Sequence, residues 1–274
     1  SIADIQRLVL EGAAHRPAGQ WVRASGYDDF YLAEQRHPTR HDLDAVAPDH
    51  PVRLDHRSGH CCVLNSLALR LLAIGRDTPD PSWGVIQREE TDGEPTGVLL
   101  EMNEYVSERM RPYRNEGELL RGVAEANRLL LSYGVTSFED ATASNSPARW
   151  ERFKQLKASG VITSRVTFLA GVAHVASFVE RGLGHGSGDD GLRLGAVKVM
   201  LTLTSGAPHP SQEQLGEVVA EAHRAGFPVA VHAVESEAVA LAVQAIAYAR
   251  RKVPASGIAL RHSKGIVDRI EHAS

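Results

Sequence analysis

The chain has 274 residues and a net charge of −4 at pH 7, with both signs of charge spread along it. This length suffices for one large α/β domain or for two ordinary domains. The mixed charge argues against a nucleic-acid surface, and no apolar run approaches the ~18 residues of a membrane-spanning helix, so we expect neither nucleic acid nor membrane as a partner.

The first 110 residues predict a mixed α/β segment. Its predicted elements are, in chain order, a helix at Ser1–Arg16, strands within residues 20–27 and 50–58, a helix at Val63–Gly75 and a hairpin within residues 83–101. The hairpin centres on Asp92-Gly93, a pair that suits a type I′ turn between alternating strands.

The two cysteines, Cys61 and Cys62, are neighbours in this segment. A disulfide between adjacent residues is strained, so we expect two reduced thiols. Reduced thiols are typical of a cytoplasmic protein, which is the location that we predict.

The second half is periodic, and a helix at Asn115–Gly134 leads into it. The five predicted strands are Gly134–Ala141, Ser164–Gly171, Leu194–Leu201, Phe227–Val234 and Val267–Ser274, and they start about 30 to 40 residues apart. The predicted helices between them begin at caps such as Ser146 and Ser211, the latter in a capping box with Gln214. Strands that alternate with helices indicate a parallel sheet with right-handed crossovers.

Three polar side chains stand on consecutive predicted strands: Lys198, His232 and His272. A buried lysine is costly, so the protein must neutralise it, pair it or use it. Alternation puts Lys198 on the face of Ala196 and Met200, and the histidines lie late in their strands, where parallel folds gather their ligands. Each residue alone is compatible with a hydrogen-bonded core position. Together the three residues suggest a metal site. A neutral lysine can add carbon dioxide and become an anionic carbamate, which can bridge two metal ions.

Several stretches of the sequence resemble a known family. Residues 26–69, "GEPTGVLLE", "FPVAVHAVESEAV" and "DRIEHAS" are similar to the YtcJ-like branch of the amidohydrolase superfamily, and the similarity covers essentially the whole chain. The resemblance implies a metal-dependent hydrolase on a (β/α)₈ TIM barrel. It implies that His232 and His272 are the metal ligands of strands five and six, and that Lys198 is the carboxylated lysine of strand four.

The resemblance also implies how the chain is organised. Members of the superfamily take an HxH pair from strand one and an aspartate from strand eight, and neither motif occurs in these 274 residues. We therefore expect an α/β fold with a partial TIM barrel of strands two to six in residues 111–274. Residues 1–110 would be a mixed α/β insertion between strands one and two.

Other histidines and one aspartate are secondary candidates. The resemblance brings the segment around His60 near the active-site mouth, so this residue either contacts substrate or has a structural role as a helix cap or a loop hydrogen bond. Asp140 either orients a metal ligand or caps a helix. We expect the remaining notable histidines in loops or on exposed helix faces: His174, His185, His209 and His223.

The resemblance implies hydrolysis of a C–N bond, in an amide or cyclic amide-like small molecule, by water activated on one or two divalent ions, with zinc as the expected metal. A deaminase or an isomerase of the same superfamily stays open, as does a catalytically inactive fragment. Five barrel strands have two open edges, which predicts a homo-oligomer.

Overall fold

The computed structural model describes residues 1–253 and 267–273, which form two compact units. One comprises the residues up to Arg114 and the other the residues from Asn115 onward. Each unit has its own sheet and its own hydrophobic core. Among the described residues, no helix has both the length and the apolar character needed to cross a bilayer.

The first unit is a mixed α/β structure. Its helices are α1 (Ile2–Ala14), α2 (Arg40–Asp44), α3 (Ser66–Leu71) and α4 (Asn103–Arg109), and its strands are β1 (Val22–Tyr27), β2 (Val52–His56), β3 (Cys61–Leu64), β4 (Val85–Arg88) and β5 (Pro95–Leu100). The sheet order is β1-β2-β3-β5-β4, with β1 and β2 parallel and the other neighbours antiparallel. A capping box between Ser1 and Asp4 starts α1, because both side chains satisfy amide groups that the first turn leaves without partners.

The predicted helix at Val63–Gly75 is partly wrong. Its first two residues belong to strand β3, which is buried between β2 and β5, and the helix starts only after Asn65. The Asn65 side-chain oxygen accepts from the amide of Ala68 and so caps α3. Short apolar runs such as Cys61–Leu64 suit a buried strand as well as a helix, so their pattern alone cannot separate the two. Both cysteines in this strand are free thiols, as predicted.

The predicted hairpin exists as β4 and β5, but its turn is not type I′. That turn needs positive φ at both central residues, and only Gly93 has it, with φ of 74°. The loop is longer than two residues and is closed by two main-chain hydrogen bonds, from Gly93 to Glu89 and from Glu89 to Glu94.

The second unit alternates strands and helices, as predicted. Its strands are β6 (Ser137–Asp140), β7 (Arg165–Gly171), β8 (Leu192–Met200), β9 (Val229–Ala233) and β10 (Arg269–His272), and its helices are α5 (Glu116–Ser132), α6 (Pro147–Ala158), α7 (Val175–Glu180), α8 (Gln212–Arg224) and α9 (Ser236–Lys252). All neighbouring strands are parallel, in the order β10-β9-β8-β7-β6. The predicted caps Ser146 and Ser211 begin α6 and α8. Ser274, the last residue of the predicted final strand, lies outside the described residues.

The two faces of this parallel sheet differ in character. Helices cover one face, where strand valines such as Val197 and Val231 pack with the apolar side of α8 and α9. The other face carries the small cluster of Leu169, Ala196 and Ala230. Small side chains on this second face leave room for the polar residues that share it.

Candidate functional site

The register of β8, β9 and β10 decides which side chains share the second face. Lys198 lies beside Ala230, and Met200 lies beside His232. His232 in turn lies beside Glu271. Since residues paired in neighbouring parallel strands point to the same side, Lys198, His232 and Glu271 share the face of the small residues. The alternation argument is confirmed for Lys198 and His232.

Lys198 is paired. Its side chain is only 5% exposed, and its Nζ donates to Oε2 of Glu271. Burial opposes the charge of Glu271, but Lys198 and Arg269 outweigh it and lower the pKa of that carboxyl. Of the three possibilities open for a buried lysine, the described structure therefore contains the ion pair.

The ion pair extends across the sheet to the opposite edge. Arg269 donates to Oε1 of Glu271 at 3.1 and 3.2 Å, and it also donates to Glu139. Burial raises the pKa of Glu139, as does the nearby Glu271, while Arg269 lowers it; the net direction is upward. The face thus carries two carboxylates held by two cations.

The ion pair between Glu139 and Arg269 shows that the sheet is curved. Glu139 lies on β6 and Arg269 on β10, which are the two edge strands. In a flat sheet, four steps of about 4.8 Å would separate these strands by roughly 19 Å, further than one ion pair reaches. The sheet must therefore curve so that its polar face is concave.

His232 and His272 lie next to each other at the C-terminal ends of β9 and β10. Their ring centroids are 4.5 Å apart with an interplanar angle of 67°. Strict alternation would put His272 on the side of Ile270, facing away from His232. His272 instead has φ of 76°, so it departs from strand geometry at the point where the strand ends, and its ring meets that of His232.

Two imidazoles this close are able to bind one ion. Within residues 1–253 and 267–273, the only group of three His, Cys, Asp or Glu donors lying close together is Asp28, Asp29 and His56, in the first unit. The arrangement in the second unit is thus a histidine pair accompanied by the Lys198–Glu271 ion pair.

His223 contradicts the prediction that it is exposed. It is buried at the end of α8, and its Nε2 lies 2.8 Å from Oδ1 of Asp268. The same oxygen accepts from the amide of Val229 at 3.1 Å, and Oδ2 accepts from Arg250. Asp268 therefore ties the start of β10 to the start of β9 and to α8, at the opposite strand ends from the histidine pair.

His60 lies in the first unit, between β2 and β3. Its Nδ1 is 3.0 Å from Oε2 of Glu101, and its main-chain N–H donates to Oγ of Ser58. An ionised carboxylate only accepts, so Glu101 orients the ring through an Nδ1–H bond. The helix-cap interpretation is wrong because Asn65 caps α3; contact with substrate stays a prediction.

Asp140 does not cap a helix either. Its Oδ1 accepts from the amide of Thr142 and from the side chain of Asn145, while Ser146 caps α6. Asp140 therefore shapes the loop after β6.

Three residues of this face were not predicted from the sequence: Glu139, Arg269 and Glu271. A signal for two of them was present, because Arg269 and Glu271 alternate with Ile270 in a strand otherwise predicted as buried. Nothing in the sequence pairs Glu139 with Arg269, which is 130 residues further along the chain.

Comparison with known proteins gives matches along the whole chain. The amidohydrolase family matches residues 1–274. N-substituted formamide deformylase of Arthrobacter pascens is 29% identical over 307 residues, covering 100% of this chain and 53% of that protein. Putative amidohydrolase YtcJ of Bacillus subtilis is 37% identical over 97 residues, covering 34% of this chain and 18% of that protein.

Two solved structures share the fold. An uncharacterized metal-dependent hydrolase from Pyrococcus furiosus has a TM-score of 0.59 at 24% identity, covering 91% of this chain and 52% of the other. A second one, from Pyrococcus horikoshii, has a TM-score of 0.60 at 21% identity, covering 90% and 50%. The chain spans about half the length of the formamide deformylase and of both solved proteins.

Proposed function

The chain belongs to the amidohydrolase family, and we propose that the protein is a metal-dependent hydrolase that cleaves a C–N bond in an amide or cyclic amide-like substrate. One observation carries the proposal: His232 and His272 meet at the C-terminal ends of two neighbouring parallel strands, with Lys198 on the adjacent strand. Active sites of parallel α/β folds lie at these strand ends.

For the fold, we infer that β6 to β10 are strands two to six of a (β/α)₈ barrel, and that residues 1–110 are an insertion between strands one and two. The concave parallel sheet with consecutive strand order supports this assignment. The likeness to the two Pyrococcus structures agrees with it.

The donors fit a divalent ion in part. His232 and His272 supply imidazole nitrogen, a ligand that suits zinc. Lys198 as an ammonium cannot hold a cation. Its neutral amine, however, can form an N–C bond with carbon dioxide and release one proton, which gives an anionic carbamate. A zinc ion held by these residues would supply an activated water and polarise the substrate carbonyl.

The contacts of Glu271 are compatible with a change of the Lys198 side chain from a cation to an anion. Arg269 already donates to Oε1 of Glu271, whereas Lys198 contacts Oε2. Arg269 would stay as a counter-ion of Glu271 when Lys198 becomes anionic, while Oε2 would lose the partner that Lys198 provides.

We propose that His60 contacts substrate, as the family resemblance implies, with its ring held by Glu101. We also propose self-association: within the described residues, β6 and β10 each have one neighbouring strand, so each presents an open edge. The free thiols of Cys61 and Cys62 support a cytoplasmic location.

Metal analysis and substrate hydrolysis test the proposal together. The variants His232→Gln and His272→Gln should bind less zinc than the parent protein and should lose formate release from N-substituted formamides, the substrate class named for the Arthrobacter relative. His41→Gln is the matched control, since that side chain is 64% exposed in the first unit. Zinc content and hydrolysis equal to the control would contradict the proposal, and ammonia as the product would favour a deaminase.

A further inference from the structure

The end of β1 and the end of β2 bring three metal-ligating side chains together in the first unit. Asp28 caps a short 3-10 helix that begins at Asp29, directly after β1. His56 is the last residue of β2 and lies beside Tyr27 in the strand register. None of these three residues takes part in the function proposed above.

The distances within the cluster match those of a coordination shell. Nε2 of His56 lies 3.1 Å from Oδ1 of Asp29 and 3.8 Å from Oδ1 of Asp28. Ligands at about 2.0–2.2 Å from a tetrahedral zinc ion are roughly 3.3–3.6 Å from one another. The two distances from His56 lie on either side of that separation.

The His56 ring points independently to a ligand. Its Nε2 is buried and has no hydrogen-bond partner among the described residues, because the contact with Asp29 is close but poorly aligned. Buried polar atoms of this kind are uncommon in native proteins and call for a partner.

The other ring nitrogen has a suitable supporting contact. Nδ1 of His56 lies 2.7 Å from Oγ of Ser58, which can accept a hydrogen bond from Nδ1–H and so leave the Nε2 lone pair for a cation. The Ser58 amide lies 3.1 Å from the same nitrogen and favours the opposite tautomer. A cation on Nε2 would require the tautomer that carries its proton on Nδ1.

The charge of the cluster favours a cation. Two carboxylates face His56, and Arg57 neutralises only part of their charge by donating to Oδ2 of Asp28. The neighbouring His37 lies 3.6 Å from Oδ1 of Asp29, and the Tyr27 hydroxyl bonds its Nδ1.

We propose that Asp28, Asp29 and His56 form a second divalent-cation site, suited to zinc or cobalt because it combines imidazole nitrogen with carboxylate oxygen. The site orders the loop after β1. That loop carries Phe30 and Tyr31, two exposed aromatic rings 5.2 Å apart.

Cobalt binding to a variant that lacks the histidine pair tests this site. The protein carrying His232→Gln and His272→Gln is titrated with Co²⁺ alone, and binding is followed by the visible absorption of the bound ion. We expect one saturable ion per chain. Adding Asp29→Asn should weaken this binding at least about ten-fold, since even indirect partners of a metal are worth that much.

The matched control is Asp190→Asn on the same background, because the Asp190 side chain is 99% exposed. Asp28→Asn is a second variant, and circular dichroism checks that each protein is folded. No cobalt binding by the histidine-pair variant would overturn the proposal, and so would equal affinities of the folded Asp29→Asn, Asp28→Asn and control proteins.

Discussion

Replacing Asp268 with asparagine should loosen the strand that carries His272. Asp268 and His223 have side chains only 1% and 3% exposed, and their charge-assisted contact is 2.8 Å long. Asparagine keeps one acceptor oxygen, so it can face His223 and the Val229 amide while its NH₂ turns to Arg250, which is 60% exposed. The two buried hydrogen bonds then lose the carboxylate charge that strengthens them. This loss should cost about 2 kcal/mol, which raises local opening roughly thirtyfold.

Hydrogen-exchange mass spectrometry on peptides that cover β9 and β10 measures this opening directly. Exchange in both strands should accelerate in Asp268→Asn, while Asp190→Asn should stay within about 0.5 kcal/mol of the parent protein. Unchanged exchange of β9 and β10 in a folded Asp268→Asn protein would refute the idea that this contact holds the two strands together.

Three further outcomes follow from the same contacts. Burial opposes the charge of Asp268, but the hydrogen-bond donors around this carboxylate outweigh burial and lower its pKa. The contribution of Asp268 to stability should therefore be complete above the unfolded pKa of about 3.9 and should be lost as the pH falls through the lower folded pKa. The loss of stability in acid, followed by circular dichroism, should be shallower for Asp268→Asn. Lys198→Met should lower the melting temperature more than the double variant Lys198→Met with Glu271→Gln, because the single change leaves a buried carboxylate short of a partner. Gly97→Ala should lower the free energy of unfolding by about 2 kcal/mol or more, since φ is 99° and the new Cβ would lie 2.4 Å from a main-chain oxygen of β3. Gly59→Ala, at φ of 77° with open space around it, should lower that free energy less. Urea denaturation measures both.

The order of the elements in the second unit could be predicted from the sequence, and so could the face of β8 on which Lys198 lies. Strand and helix periods, together with caps at Ser146 and Ser211, predicted the alternating second unit, since these signals are local. Lys198 was recognisable because a charge inside a β-branched strand has few physical solutions. The strand Cys61–Leu64 was not predicted, because an apolar run of four residues is too short to distinguish a helical period from strand alternation.

The partners of the recognised residues were not readable from local patterns. Glu271 and Arg269 lie beside the predicted ligand His272, yet their contacts with Lys198 and Glu139 depend on strand register and sheet curvature. His223 was expected in a loop or on an exposed helix face, but it is buried against Asp268, which lies 45 residues later. Interactions between strands distant in sequence need the fold before they can be named.

Anomalous diffraction at the zinc edge, from crystals grown with zinc and bicarbonate, tests the proposed metal centre most directly. We expect a zinc peak between the rings of His232 and His272, and density for a carboxyl group on Nζ of Lys198. An unmodified Lys198 still paired with Glu271, with no zinc peak beside either histidine, would contradict the proposed metal site.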